Sequence, residues 1–386
     1  MTDSQHSSTH PQLPPTTEEE RFLWLRLLRS RRVGPTTFHR LIAEHGNVTE
    51  ALTALPDIAQ AAGVKDYQIC PEQIVADELN AAKLAGATLI CSGDQNYPTS
   101  LYDLPDAPPI LWAVGRLELL KTPSIAIVGA RNASSLGTRM ARSIAAELGT
   151  QAHVTVSGLA RGIDAAAHQA SLKTGTIAVF AGGVDVIYPT ENTSLAKEIA
   201  QNGLSLSEQP MGIHPQARHF PSRNRIISGL SKAVVVIEAA SKSGSLITAK
   251  NALDQGRDVL AVPGHPFDTR ASGCNILIRD GATLVRCAED ILAAIAPLAP
   301  PQQSELDLTP PRNSHARSQA QPQNRNLQDT AKLHRQILDR LGPSPLAEDQ
   351  LIRDLPAATH EIAPALVDLE LEGKIQRRAG GLLTRS

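Results

Sequence analysis

Aromatic side chains are scarce in this 386-residue chain: two Trp, four Tyr and five Phe, 3% of the total. Any base-stacking platform would rest on very few rings, so a ring beside a loop counts. Cysteine is scarce too, with Cys70, Cys91, Cys274 and Cys287 far apart and no C-x-x-C. That spacing argues against a disulfide framework and a structural zinc site, and leaves reduced, buried thiols. Neither charge dominates: 37 Lys and Arg stand against 39 Asp and Glu, a net charge of −2. A nucleic-acid partner must therefore be sought in local clusters, because the bulk charge gives no basic signature. No apolar run is long enough to span a bilayer, and residues 1–17 are polar with no apolar h-region. A soluble, cytoplasmic protein without membrane contact is expected.

What is present divides the chain into five parts. Residues 1–17 read as a disordered tail. Residues 18–115 read as a helical N-terminal domain, in which EEERFLWLRLLRS, a VGP turn at Val33–Pro35 and TTFHRLIAEHG make half of a helix-hairpin-helix. Phe38, Leu41 and Ile42 share one face there. Arginines at 26, 29, 31 and 32 suit a phosphate contact, and equally a solvated basic face. From about 116 to 296 short β-rich runs alternate with Ala-rich helical stretches, the mark of βαβ units and a parallel sheet. Seven strands are expected: 124–129, 154–158, 176–182, 204–208, 233–239, 258–264 and 283–286. Leu136, Met140, Ile144 and Leu148 are spaced as the buried face of a helix closing at Gly149, and the helix with Leu195 and Ile199 stops at Gly203. Residues 297–330, rich in Pro, Gln and Asn, read as a disordered linker. Residues 331–386 read as three helices and a hairpin around Gly380–Gly381, a winged helix.

Ligands of a doubly wound sheet bind beyond the carboxyl ends of its strands. Five loops lie there. G129-A-R-N-A-S-S-L-G137 offers a tight turn, Arg131 as a bidentate phosphate partner, and Ser134–Ser135 at a helix N-terminus, a ready anion site. Arg131 stands where the second glycine of G-x-G-x-x-G would be, which counts against a dinucleotide, and no P-loop motif occurs. S157-G-L-A-R-G-I-D164 brings Gly158 and Arg161, and A181-G-G-V-D-V-I-Y-P189 brings Gly182–Gly183. H219-F-P-S-R-N-R-I-I-S228 sets Phe220 beside Arg223, Asn224 and Arg225, a ring for base stacking next to two guanidiniums. The competing reading of that cluster places Phe220 in the core and pairs the arginines with Asp or Glu. S243-G-S-L-I-T-A-K250 opens a helix with Gly244 and Ser245, Thr248 one turn on. No metal-ligand spacing, no G-x-S-x-G and no thiol with a partner base is present; His168, His219 and His265 are scattered. The loops can hold phosphate, and no catalytic residue, metal or cofactor is expected.

The strings GAR-x(4)-LG, SGLARGIDAAAH, FPSRNRIISGLSKAVVVIEA and GSLITAKNALDQGRDVLAVPG resemble the DprA (Smf) family, the DNA-processing proteins of bacterial natural transformation. The likeness is strongest over about 122–295. It implies an extended Rossmann-like core between a helical domain (SAM or helix-hairpin-helix-like) and a winged helix. It further implies a non-enzymatic homodimer that binds and protects incoming single-stranded DNA and loads the RecA recombinase. By motif, the DNA-binding candidates are Arg131, Gly158, Arg161, Phe220, Arg223, Asn224, Arg225, Gly244, Ser245 and Thr248. Some members carry a lysine three residues before the loop aromatic; here Ala217 stands there, with Arg218 next to it. A nucleoside-monophosphate phosphoribohydrolase is the main alternative, although its P-G-G-x-G-T-x-x-E pattern is missing. A regulator working through the winged helix ranks last. The apolar stretch 273–282 is a candidate for self-association, with buried packing as the competing reading.

Overall fold

A computed structural model of the chain describes residues 15–296, 327–342, 346–357, 359–378 and 382–385. The expected tail up to residue 14, the linker up to 326 and the Gly380–Gly381 turn lie outside these residues. The chain divides into two compact units, at residues 301 and 302.

The first unit opens with helices α1 (Glu18–Arg29), α2 (Pro35–His45), α3 (Val48–Ala61) and α4 (Glu72–Leu84). A capping box between Thr17 and Glu20 fixes the start of α1. Phe38, Leu41 and Ile42 are buried, as their period predicts, in one cluster with Trp24, Leu25 and Leu27. Arg29 makes two 2.8 Å bonds to the buried Glu78, which also accepts from Trp112 Nε1 at 2.8 Å. Arg26 is likewise tied, to the Cys70 carbonyl and Glu72. Of the four arginines named above, only Arg31 and Arg32 stand exposed.

Two strands, β1 (Thr88–Cys91) and β2 (Ile110–Gly115), lie in the stretch read from sequence as helical. Apolar runs this short have no period that separates strand from helix, and Pro-rich sequence hides their pairing. The core follows as β3 (Ser124–Gly129), α5 (Ser135–Thr150), β4 (Val154–Ser157), α6 (Ile163–Ser171), β5 (Thr176–Val179), α7 (Thr193–Asn202), β6 (Leu204–Ser207), α8 (His219–Leu230), β7 (Ala233–Ile237), α9 (Ser245–Asp254), β8 (Asp258–Ala261), α10 (Ser272–Arg279), β9 (Thr283–Leu284) and α11 (Ala288–Ile295). Strand order is β1-β2-β6-β5-β4-β3-β7-β8-β9. The strands from β6 to β9 run parallel, and β1 and β2 are antiparallel additions at one edge.

All seven expected strands are present, six of them shorter than read, residues such as Gly158, Glu208 and Pro263 at their ends already belonging to loops. The central strands are buried on both faces, as a parallel sheet covered by helices requires. Along β3 the side chains alternate: Ala126 and Val128 join one cluster with Ile226 and Ala249, and Ile125 and Ile127 join another with Ile144 and Ile163. The face expected for α5 is shifted. Leu136 is exposed, the buried residues are Gly137, Ala141, Ile144, Ala145 and Leu148, and the helix passes Gly149 to end at Thr150. Gly149 is there because Thr174 packs against it, not as a terminator.

The second unit has α12 (Leu327–Arg340), which starts four residues inside the expected linker, β10 (Leu346–Ala347), α13 (Glu348–Asp354), α14 (Thr359–Leu371) and a hairpin of β11 (Ile375–Arg378) and β12 (Leu382–Arg385). The three strands form one sheet, β10-β12-β11, over a core that includes Ile337, Leu351, Leu366 and Leu383. This is a winged helix. On the wing, Arg377 bridges Glu348 at 2.5 Å and Glu370 at 3.1 Å.

Candidate nucleic-acid interface

The strand order reverses at β3. From it the chain proceeds through β4, β5 and β6 to one side and then returns to β7, β8 and β9 on the other. Loops that diverge at such a point leave a crevice at the carboxyl ends of the strands. A cleft of about 610 Å³ lies here, lined by residues of the β3–α5, β4–α6 and β7–α9 loops and of α8. A recess of about 250 Å³ adjoins it, sharing Arg131, Phe220 and Arg223 and adding Gly158, Arg161 and Tyr188. The charged residues lining the cleft are Arg131, Arg223, Lys242 and Arg270 against Asp164 alone. Asp164 is buried and accepts from the Gly158 and Ala160 N–H groups. Arg270 is partly offset by Asp268 at 3.1 Å. The cleft is therefore electropositive although the chain is not.

Arg223 shapes the floor. It is 6% exposed, donates to the Val179 carbonyl at 2.6 Å, and leaves its Nε without a partner. Burial pushes its pKa down to about 10, Asp164 opposes that shift and Arg131 adds to it. A cation at that pKa stays charged at neutral pH, so a buried, incompletely satisfied guanidinium faces the cleft. The guanidinium lies where a Cβ on residue 158 would be, so Gly158 is required for packing.

The β4–α6 loop is held rigidly around it. Leu159 adopts a left-handed φ of +56° and Gly162 one of +75°. The strain at Leu159 is offset by bonds on either side: the Ser157 hydroxyl donates to the Ile127 carbonyl at 2.6 Å, and the Leu159 N–H donates to His168 Nε2 at 3.3 Å. His168 also bonds Thr176 Oγ1 through Nδ1, at 2.7 Å, and burial pushes its pKa down to about 3, so it is neutral. Burial raises the pKa of Asp164, against the pull of Arg223.

Phe220 is the ring of the site. It lies in the first turn of α8, where Pro221 is tolerated because the early N–H groups have no intrahelical partner. The Arg131 guanidinium carbon stands 5.2 Å from the Phe220 ring centre, a cation–π contact, and the Tyr188 ring centre is 5.8 Å away. Arg161 reaches Glu191 at 3.5 Å on the rim of the recess. Asn224 donates to the Gly244 carbonyl at 3.4 Å, joining α8 to the β7–α9 loop. Gly244, Ser245 and buried Thr248 line the cleft. Gly244 is the N-cap of α9, Ser245 being its first helical residue; the Ser245 N–H donates to Ser243 Oγ at 3.4 Å, and the Leu246 and Ile247 N–H groups donate to the Ser243 and Gly244 carbonyls at 3.1 Å. The positive end of the helix dipole faces the cleft.

Nine of the ten candidates therefore border the cleft, border its recess or, for Asn224, do so while also bracing it. Arg225 does not. It turns to the flank, pairing with Glu208 at 2.5 Å and Asp106 at 2.9 Å, so that half of the competing reading of its cluster describes it. Sequence reasoning missed Tyr188, Lys242 and Arg270. Tyr188 and Lys242 had a local signal, an aromatic and a cation next to glycine loops. Arg270 enters from the β8–α10 segment, which no motif joined to the others.

Three family matches tile the chain: a DprA-like N-terminal HHH domain over 18–81, DNA recombination-mediator protein A over 88–296, and a DprA winged helix domain over 321–381. The chain belongs to the DprA family. Protein Smf of Synechocystis sp. is 34% identical to it, over 94% of this chain and 98% of that protein. DNA processing protein DprA of Bacillus subtilis is 46% identical over 55% and 73%. Among solved structures, DprA of Streptococcus pneumoniae superposes with a TM-score of 0.56 and 36% identity, covering 68% of this chain and 98% of that one. DNA processing protein A of Helicobacter pylori, described for its unique single-stranded DNA binding mode, gives 0.50 and 32%, covering 54% and 95%. Among the described residues, no helix of this DprA relative is long and apolar enough to cross a membrane.

Proposed function

We propose that this DprA-family chain binds single-stranded DNA across the cleft at the β3/β7 switch point, without catalysing a reaction on it. In line with the family, the bound strand is protected and passed to RecA by a homodimer. The observation that carries the reading is Arg223: a buried charged guanidinium with a partnerless Nε, on the floor of a cleft with three further cations. An unsatisfied buried cation is stabilised by an anion that reaches it. Tyr188 and Phe220 offer ring faces beside that anion seat, and stacking accepts any base. His168, the histidine packed near Arg223, has both ring nitrogens engaged and is neutral, so it supplies no proton-transfer group. The single-stranded DNA binding described for the Helicobacter pylori relative is consistent with this assignment.

The test is binding of labelled oligo-dT at low and high salt, with duplex DNA and AMP as competitors. Tight, salt-sensitive binding that both competitors displace poorly is the expected result. Weak oligo-dT binding with effective AMP competition would replace this reading with that of a small-nucleotide protein. Arg223→Ala is expected to weaken binding to all sequences and to flatten the salt dependence.

A further inference from the structure

Two helices start at the switch point, and their N-termini differ. That of α9 lines the cleft and holds no carboxylate, its first N–H groups being met by Ser243 Oγ and by the Ser243 and Gly244 carbonyls. That of α5, the helix after the strand where the order reverses, is the usual phosphate seat of a doubly wound fold. Here the seat is already filled by a carboxylate of the chain. Ser134, the N-cap of α5, donates its backbone N–H to Glu238 at 2.7 Å and its hydroxyl to the other Glu238 oxygen, while accepting from Gly137 N–H at 3.0 Å. In an ordinary capping box the acid is the helix's own third residue. Here that residue is Gly137, and a Cβ on it would collide with the Glu238 carboxyl group. The carboxylate is supplied instead from just beyond β7, and to supply it Glu238 adopts a left-handed φ of +52°. A non-glycine residue takes that conformation only where the surrounding structure offsets its strain.

We propose that Glu238 is a specificity-determining residue that keeps this phosphate seat shut, so that the cleft accepts an internal stretch of polynucleotide and refuses free nucleoside 5′-phosphates. A terminal phosphate carries about −1.5 to −2 charges and needs concentrated donors. Placed at α5 it meets a fixed negative charge and finds the Ser134 donors taken. The single charges along a strand need no such seat, because Arg131, Arg223 and Lys242 are spread along the cleft. The inference rests on the single-strand reading of that cleft.

Glu238→Gln and Glu238→Ala are titrated calorimetrically with ADP, AMP and oligo-dT beside the unaltered protein. Thermal unfolding identifies which variants are folded. The unaltered protein is expected to bind oligo-dT and to give no measurable heat with ADP or AMP. The folded variants are expected to bind ADP at least tenfold more tightly, with oligo-dT affinity changed less than about threefold. Should Glu238→Ala not fold, the glutamine variant, which keeps the side chain's size and one acceptor, decides the matter. ADP binding by the unaltered protein, or no gain in a folded variant, overturns the proposal. A gain for ADP in the variants with no oligo-dT binding by any form would leave the closed seat standing and remove the single-strand reading.

Discussion

Arg223 and Arg225 stand two residues apart on α8, are 6% and 8% exposed, and serve opposite regions of the molecule. On the flank, Arg225 meets two carboxylates, and only its Nη1 is buried without a partner. Glu208 holds it and also accepts from Ser222, and Asp106 holds its Nε, so α8 is pinned to the end of β6 and to the segment before β2. On the cleft side, Arg223 meets one carbonyl at hydrogen-bond distance, and its nearby carboxylate, Asp164, is spent on backbone N–H groups. The same side chain, equally buried, is structural where the protein supplies its anions and a binding element where it does not. Burial or residue type therefore does not identify a binding arginine; the balance of partners does.

The largest effect is expected on the flank. Arg225→Ala leaves the largely enclosed Glu208, its side chain 10% exposed, without its cation and should cost about 3 kcal/mol of stability, read by urea unfolding. Arg223→Ala should show its main loss in oligo-dT affinity instead. Equal stability losses with unchanged binding would erase the distinction.

A second contrast comes from acid. His168 has a folded pKa of about 3 against about 6.5 unfolded. The unfolded chain thus binds the extra proton, and stability falls as pH drops from about 6.5 towards 3, by up to about 1.4 kcal/mol per pH unit. Asp164, raised by burial, acts in the opposite sense above its unfolded value, since the folded state then holds the extra proton. Comparing His168→Gln with the unaltered protein isolates the histidine: the variant should lose less stability between pH 7 and 4.5.

Smaller effects belong to the rings. Tyr188→Ala and Phe220→Ala should each weaken oligo-dT binding by about 1–3 kcal/mol, with Tyr188→Phe near normal. A Tyr188→Ala protein that binds normally would confine stacking to Phe220. Smallest is the effect of Arg131→Ala on the salt slope of binding, which should become shallower by about 0.7 in a log–log plot if Arg131 neutralises one phosphate.

Much of this was legible beforehand. The seven parallel strands announce themselves as β-branched runs between Ala-rich segments, because a strand covered on both faces must be apolar throughout. The winged helix follows from periods and a glycine turn. Strands β1 and β2 were not legible: Thr88–Cys91 and Ile110–Gly115 acquire their strand identity by pairing with each other and with β6, across distances in sequence that carry no local signal. The glycine loops and their cations could be read as an anion site, since they follow strands and precede helices.

What sequence by itself determined was the class of fold, the loops that face the ligand and the residue types they offer, all set by period and by local backbone chemistry. Tertiary structure alone decided which arginine meets a carboxylate, that Tyr188 comes to stand by Phe220, that Arg270 arrives from a distant loop, and that Glu238 fills the end of a helix begun 104 residues earlier. Those outcomes depend on which side chains the sheet brings within a few ångströms of each other. Charge pairing and desolvation act over that distance in space and are indifferent to separation along the chain.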